Sequence, residues 1–317
     1  MVKFEYLYRG LCGMANAPRA SSMAGHLGTA VVAGYFIGED HPALEDNVFE
    51  AIERDLNRIT GGEESIWFDP KKAGITAEEL FKPLAQEEPE KTSADNIARA
   101  LDGNIGETRQ SGHNVIFASI ALRALREHEQ YASPLLVAGI EKLIASFNDQ
   151  HAGRGYYGKE RGWLIGKQAP LADAESVPEY ASLDAMVEVV IDQLIAKASE
   201  HRQGFGGFFH LINHAAALTE LDRLGYTELS QKGLAAHRQH LLLYRALPNL
   251  DDELGKLEAS TIDPFKADYW QLKESKQWGA WLTHRIKTLY GFHTLLRLID
   301  DEEKRAKALM QFRFLMA

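Results

Sequence analysis

Gly25 to Ile59 reads GHLGTAVVAGYFIGEDHPALEDNVFEAIERDLNRI. After His26, the stretch Leu27 to Gly38 is apolar nearly all round and rich in glycine and alanine. A helix with that pattern must be buried on every side. A short acidic turn follows, Gly38-Glu39-Asp40-His41-Pro42. Beyond it Leu44, Val48, Phe49, Ile52, Leu56 and Ile59 recur at helical spacing, with Glu50, Glu53 and Arg54 off the stripe. An inner helix opened by histidine, an acidic turn and an amphipathic helix running back make one helical hairpin.

The same plan returns three times. GHNVIFASIALRAL carries His113, FHLINHAAALTEL carries His210 and His214, and THRIKTLYGFHTLLRLI carries His284. Their turns are Glu127 to Pro134, Gly225-Tyr226-Thr227-Glu228 and Asp300-Asp301-Glu302. The second return helix repeats the stripe at Leu136, Ile140, Leu143, Ile144 and Phe147. Pro42 and Pro134 stand near first-turn positions, where the missing N–H costs nothing, and acids in the turns favour the positive ends of the helices that follow. Residues 70–103 and 164–200 add further helices, including SLDAMVEVVIDQLIAKA. Internal repetition is read before single motifs. It predicts an all-α fold of repeated helical hairpins in a curved or closed, toroid-like α/α array, with residues 1–317 as a single domain.

Bulk composition sets the outer limits. A hydrophobic fraction of 45% with 25% charged residues fits a globular chain. The net charge of −10, with no basic run, argues against a nucleic-acid partner or an anionic membrane surface. One cysteine, Cys12, excludes an intrachain disulfide and points to a reducing compartment. MVKFEYLYRGLCGM carries Glu5 and Arg9 and does not read as a signal peptide. The apolar run Leu27 to Ile37 falls short of the roughly 20 residues a spanning helix needs. A cytoplasmic protein is expected; the sequence does not fix its oligomeric state.

All five tryptophans, Trp67, Trp163, Trp270, Trp278 and Trp281, lie in or beside the segments that join hairpins. Glycines interrupt those segments at Gly61-Gly62, Gly153 to Gly158 and Gly204 to Gly207. Two readings stay open for these aromatics. They line a flat pocket beside the histidines, with Trp67, Tyr156, Trp163, Phe208, Trp278 and Trp281 as its walls, or they tuck onto the ends of the helices as packing.

Neutral imidazole is the commonest metal ligand, and several together suit iron, zinc or copper. His210 and His214, four apart, share a helical face, as do His284 and Lys287, three apart. Placement at the start of each inner helix favours a shared polar site over four unrelated core histidines. His41, His128, His237 and His240 are expected at the surface, while His151, His201 and His293 have no decisive context. No GxSxG, Walker loop, strand-borne GxGxxG, HExxH or CxxC is present.

FFHLINHAAALTELDRLGY, followed by GLAAHRQH, resembles the Phe-His-led segment of the questin oxidase-like family. WLTHRIKTLYGFHTLLRLI and the SGH and AGH helix openers are similar in style. The resemblance spans most of the chain loosely and is sharp at 208–226 and 281–299. It implies an all-helical, non-haem iron oxygenase acting with dioxygen on an aromatic polyketide such as an anthraquinone. Its metal would be held by His26, His113, His210 or His214, and His284, with Lys287 as a carboxylated lysine. Aligning Leu221-Asp222-Arg223-Leu224 with Leu295-Leu296-Arg297-Leu298 pairs His210 with His284 but sets His214 against Thr288, a departure that leaves the ligand set open.

The reading that follows is a metal-dependent oxidoreductase with Fe(II) and a small aromatic substrate. Two alternatives stand beside it: a metal-independent α/α-barrel lyase or hydrolase using histidine and tyrosine, and a non-catalytic helical-repeat binding protein.

Overall fold

The computed structural model describes residues 1–85, 87–271 and 279–317, with the backbone alone for Lys91. Trp278 therefore lies outside the described residues. Helices follow in chain order as α1 (Glu5–Asn16), α2 (Gly25–Asp40), α3 (Asp46–Thr60), α4 (Pro70–Ala73), α5 (Ala77–Leu80), α6 (Asp95–Asp102), α7 (His113–Glu127) and α8 (Pro134–Ala145). After β1 (Arg154–Tyr156), α9 (Gly158–Arg161) and β2 (Trp163–Ile165) come α10 (Leu183–Lys197), α11 (Gly207–Arg223) and α12 (Thr227–Arg245). The series closes with α13 (Asp251–Leu254), α14 (Trp281–Leu296) and α15 (Glu302–Phe312). The fold is all-α; a two-stranded antiparallel hairpin, Arg154 opposite Ile165 and Tyr156 opposite Trp163, is the one sheet among the described residues. Among them, no helix is long and apolar enough to cross a membrane.

Each expected inner helix is present as α2, α7, α11 and α14, and each return helix as α3, α8, α12 and α15. Two compact units divide them: Met1–Gly103 with Phe117–Phe147 and Ile262–Tyr290, and Asn104–Ile116 with Asn148–Thr261 and Gly291–Ala317.

In the first unit α1 packs on α2 and α8, and α2 on α3. Residues Gly25 to Gly38 of α2 are all buried, as an all-round apolar helix requires. The α1–α2 crossing is backbone against backbone. A Cβ on Gly28 would sit 2.4 Å from the Met14 nitrogen and 2.6 Å from the Gly10 carbonyl oxygen. Val48, Phe49, Ile52, Leu56 and Ile59 turn the α3 stripe inward. Asp55, on the same buried side, accepts from Arg285 Nε of α14 at 2.6 Å, so two charges leave water together.

In the second unit α11 packs on α12, and α10 on α11 and α15. Phe292 and Phe312 stack with centroids 3.8 Å apart, joining the end of α14 to α15. Among the α12 positions buried are Ser230, Gly233, Leu234, His237, His240, Leu241 and Tyr244. His237 and His240 are both 0% exposed, which corrects their expected surface placement. They sit on the buried stripe of α12 because their three- and four-residue spacing continues it.

Candidate metal centre

Two imidazole pairs stand out, one in each unit. In the second unit His113 opens α7 and His210 lies in the first turn of α11. His210 Nδ1–H donates to the Gly206 carbonyl oxygen at 2.5 Å, and His113 Nδ1–H donates to the Gln110 carbonyl oxygen. A carbonyl only accepts, so both rings carry a proton on Nδ1, and in its neutral form each ring keeps a lone pair on Nε2. Those two Nε2 atoms face each other at 2.9 Å.

Strained turns aim both rings. Before His113 the chain runs through three left-handed residues, Gln110 (φ 42), Ser111 (φ 61) and Gly112 (φ 83). Before His210 it does so at Phe205 (φ 47), Gly206 (φ 75) and Gly207 (φ 71). Non-glycine residues hold such angles only where surrounding bonds over-determine them. A single extended segment supplies those bonds to both turns. The His151 and Ala152 carbonyls accept from Gln110 and Ser111 N–H at 2.8 and 2.9 Å, and the Arg154 carbonyl accepts from Phe205 N–H at 2.7 Å. Gly206 also has a packing reason: a Cβ there would lie 2.3 Å from His210 Cγ.

His214 is directed elsewhere. It is wholly buried, and its Nδ1–H points to His240 Nδ1 at 3.4 Å, with the His237 ring at 5.1 Å. His240 Nε2–H donates to the carbonyl of strained Phe205 at 2.8 Å. His237 Nε2–H donates to the Leu211 carbonyl at 3.1 Å, and the Tyr180 hydroxyl donates to His237 Nδ1 at 3.2 Å. Burial first, then the neighbouring imidazoles, holds His214 well below its ordinary value. The same causes bring His237 down to about 3, and burial brings His240 to about 4. This trio stays neutral and props up α11 and the turn before it.

In the first unit His26, the second residue of α2, is buried. Trp67 stacks on its face with centroids 3.7 Å apart at 11°, and Phe117 meets it edge-on at 5.3 Å. His284 of α14 stands with its ring 5.1 Å from that of His26. His284 Nδ1–H donates to the Ala280 carbonyl oxygen at 2.7 Å, so its Nε2 also keeps a lone pair.

Lys287, one turn further along α14, is 2% exposed and shares a hydrogen bond with His26 Nδ1. Burial brings its amine down to about 7, against the opposing pull of Glu64. Glu64 itself is buried, and desolvation pushes its carboxyl up.

The aromatic residues divide as well. Trp67 is against His26, and its ring centroid lies 5.4 Å from that of His284. Trp281 is the first residue of α14. In the second unit Trp163 is 43% exposed, beside Tyr156 at 5.5 Å and under the Arg154 guanidinium at 4.5 Å. Phe208 is buried edge-on against Tyr244.

Sequence reading missed Glu64, the left-handed Gln110-Ser111 turn, and the support of the metal-candidate histidines by His237 and His240. Glu64 is one of two adjacent acids in a loop, and nothing in the sequence ties it to α14. No protein-family model, curated protein or solved structure matches this chain.

Proposed function

We propose that this chain is a metal-dependent oxidoreductase acting on an aromatic substrate, with the imidazoles of His113 and His210, and of His26 and His284, as metal donors. The supporting observation is the 2.9 Å approach of the His113 and His210 Nε2 atoms, both lone-pair bearing. Between two neutral rings those lone pairs would repel at that distance, and either a shared proton or a metal ion relieves the repulsion. Zinc-type nitrogen bonds run about 2.0–2.2 Å, so one ion reaches both atoms. The donor chemistry fits: neutral imidazoles, each oriented by a backbone carbonyl on the opposite ring nitrogen, as ligating histidines commonly are.

The residues have separable roles. Gln110, Gly206 and Ala280 carbonyls fix the rings of His113, His210 and His284. His26 binds through Nε2 when its Nδ1–H donates to a neutral Lys287 amine. Carboxylation of Lys287, implied by the resemblance, adds the amine to carbon dioxide with loss of one proton. It turns the neutral amine, a form that burial favours over the cation, into an oxygen anion beside His26. Trp67 is the proposed stacking surface for a planar substrate such as a hydroxyanthraquinone. Iron(II), when bound, would supply the redox chemistry with dioxygen.

Oxygen uptake by iron-loaded protein with a hydroxyanthraquinone tests the reading. Uptake that depends on both iron and substrate is expected. Iron-loaded protein that consumes no oxygen with aromatic substrates would overturn the oxygenase assignment. Turnover undiminished by chelation would favour the acid–base alternative.

A further inference from the structure

We propose that Glu64 is a positioning residue that locks the Trp67 indole onto His26 and ties that stack to the first turn of α14. Glu64 is 5% exposed. Trp67 Nε1–H donates to Oε2 at 2.8 Å. The backbone N–H of Thr283 donates to Oε1 and Oε2 at 3.4 and 3.3 Å. Thr283 is the third residue of α14, so its N–H is one of those that no carbonyl within the helix can accept.

A negative group at a helix start is favoured by the helix dipole, here provided from a distant loop. His284 follows Thr283 directly, and Lys287 lies one turn on. One buried anion thus sets where Trp67 rests on His26 and where the helix bearing His284 begins.

The carboxylate meets both demands, Oε2 accepting from the indole and both oxygens from the Thr283 N–H. Each of its oxygens accepts, and both face donors. Glutamine has the same shape but would present its amide N–H groups to one of those donors. Glu64→Gln loses the negative charge and one of the two accepting oxygens, so it should loosen both the indole and the helix end. The consequence for metal rests on the proposed role of His26 and His284; the geometry of the clamp does not.

The test uses metal-free protein labelled with 5-fluorotryptophan, the Trp67 resonance being assigned by its loss in Trp67→Phe. In the native chain the indole N–H of Trp67 should exchange slowly with solvent. In Glu64→Gln the Trp67 fluorine resonance should move towards that of a free tryptophan. Cobalt(II) affinity should fall by about 10–100-fold, the usual cost of losing a group that orients a ligand. In a Trp67→Phe background, Glu64→Gln should cost much less affinity, because the indole link is already gone.

Fast exchange of the native indole N–H, or an unmoved resonance in Glu64→Gln, would overturn the proposal. So would full additivity of the two substitutions. A native chain that binds no cobalt would refute the metal reading, while exchange and resonance position would still judge Glu64. The exchange measurement needs only the native chain and Trp67→Phe, so a Glu64→Gln chain that fails to fold leaves the test intact.

Discussion

His113 Nε2 and His210 Nε2 face each other at 2.9 Å, while each ring donates its Nδ1–H to a backbone carbonyl on the other side. His214, four residues along the same helix face as His210, instead joins His240 and His237.

The first prediction separates these two neighbours. His210→Ala should weaken metal binding by about 100-fold or more, at or beyond the upper end of what losing an outer-shell partner costs. His214→Ala should leave metal affinity nearly unchanged and lower stability by about 2–4 kcal/mol, as for other large-to-small changes in a core. Metal titration and urea unfolding of both variants check this. Equal loss of metal in the two would contradict the division.

Acid should destabilise the protein through the buried trio. The folded-state values of His237 and His240 are depressed to about 3 and about 4, from 6.5. Above pH 6.5 both folded and unfolded states hold these rings neutral. As pH falls below 6.5 the unfolded chain binds protons that the folded one cannot, so stability is lost down to the folded values. The loss between pH 7 and pH 4 should be of order several kcal/mol, each pKa unit being about 1.4 kcal/mol. His237→Gln keeps a donor for the Leu211 carbonyl without a titrating group. It should remove about one proton from the slope of unfolding free energy against pH. An unchanged slope would count against the assignment.

Helix content and inner-versus-outer position were legible because they depend on local apolar spacing. The all-round apolar run of α2 reads as buried and is buried. The α12 histidines were misread because their polarity outweighed their position, although Ser230, Gly233, Leu234, His237, His240, Leu241 and Tyr244 trace one helical stripe. The Glu64–Thr283 link joins residues 219 apart and leaves no local signal. Left-handed Gln110 and Ser111 have side chains that give no warning of such a turn.

The buried pair of Asp55 and Arg285 gives a third prediction. Both side chains are nearly inaccessible, at 4% and 2% exposure. Asp55→Ala leaves the guanidinium buried without its anion and should cost about 3–5 kcal/mol. Glu303→Ala, which breaks an exposed pair with Lys307, should cost under about 1 kcal/mol. Urea midpoints of the two variants should differ accordingly, and similar midpoints would contradict the account.

Trp67 should govern recognition of a planar ligand. Trp67→Ala is expected to weaken hydroxyanthraquinone binding by about 1–3 kcal/mol, the range for losing an aromatic contact that anchors a ligand. Trp163→Ala, on the exposed hairpin beside Tyr156, should leave that affinity unchanged. Fluorescence titration gives both numbers, and a larger loss at Trp163 would move the stacking surface to the hairpin.

Metal content of tag-free protein, loaded anaerobically with iron(II) and passed through a desalting column, tests the central claim most directly. The account predicts stably bound iron in the native chain, with less iron held by His210→Ala, which removes a donor of one pair, and by His284→Ala, which removes a donor of the other, while both variants retain native helicity. A native chain that leaves the column without metal, or variants that load as fully as it does, would contradict the claim.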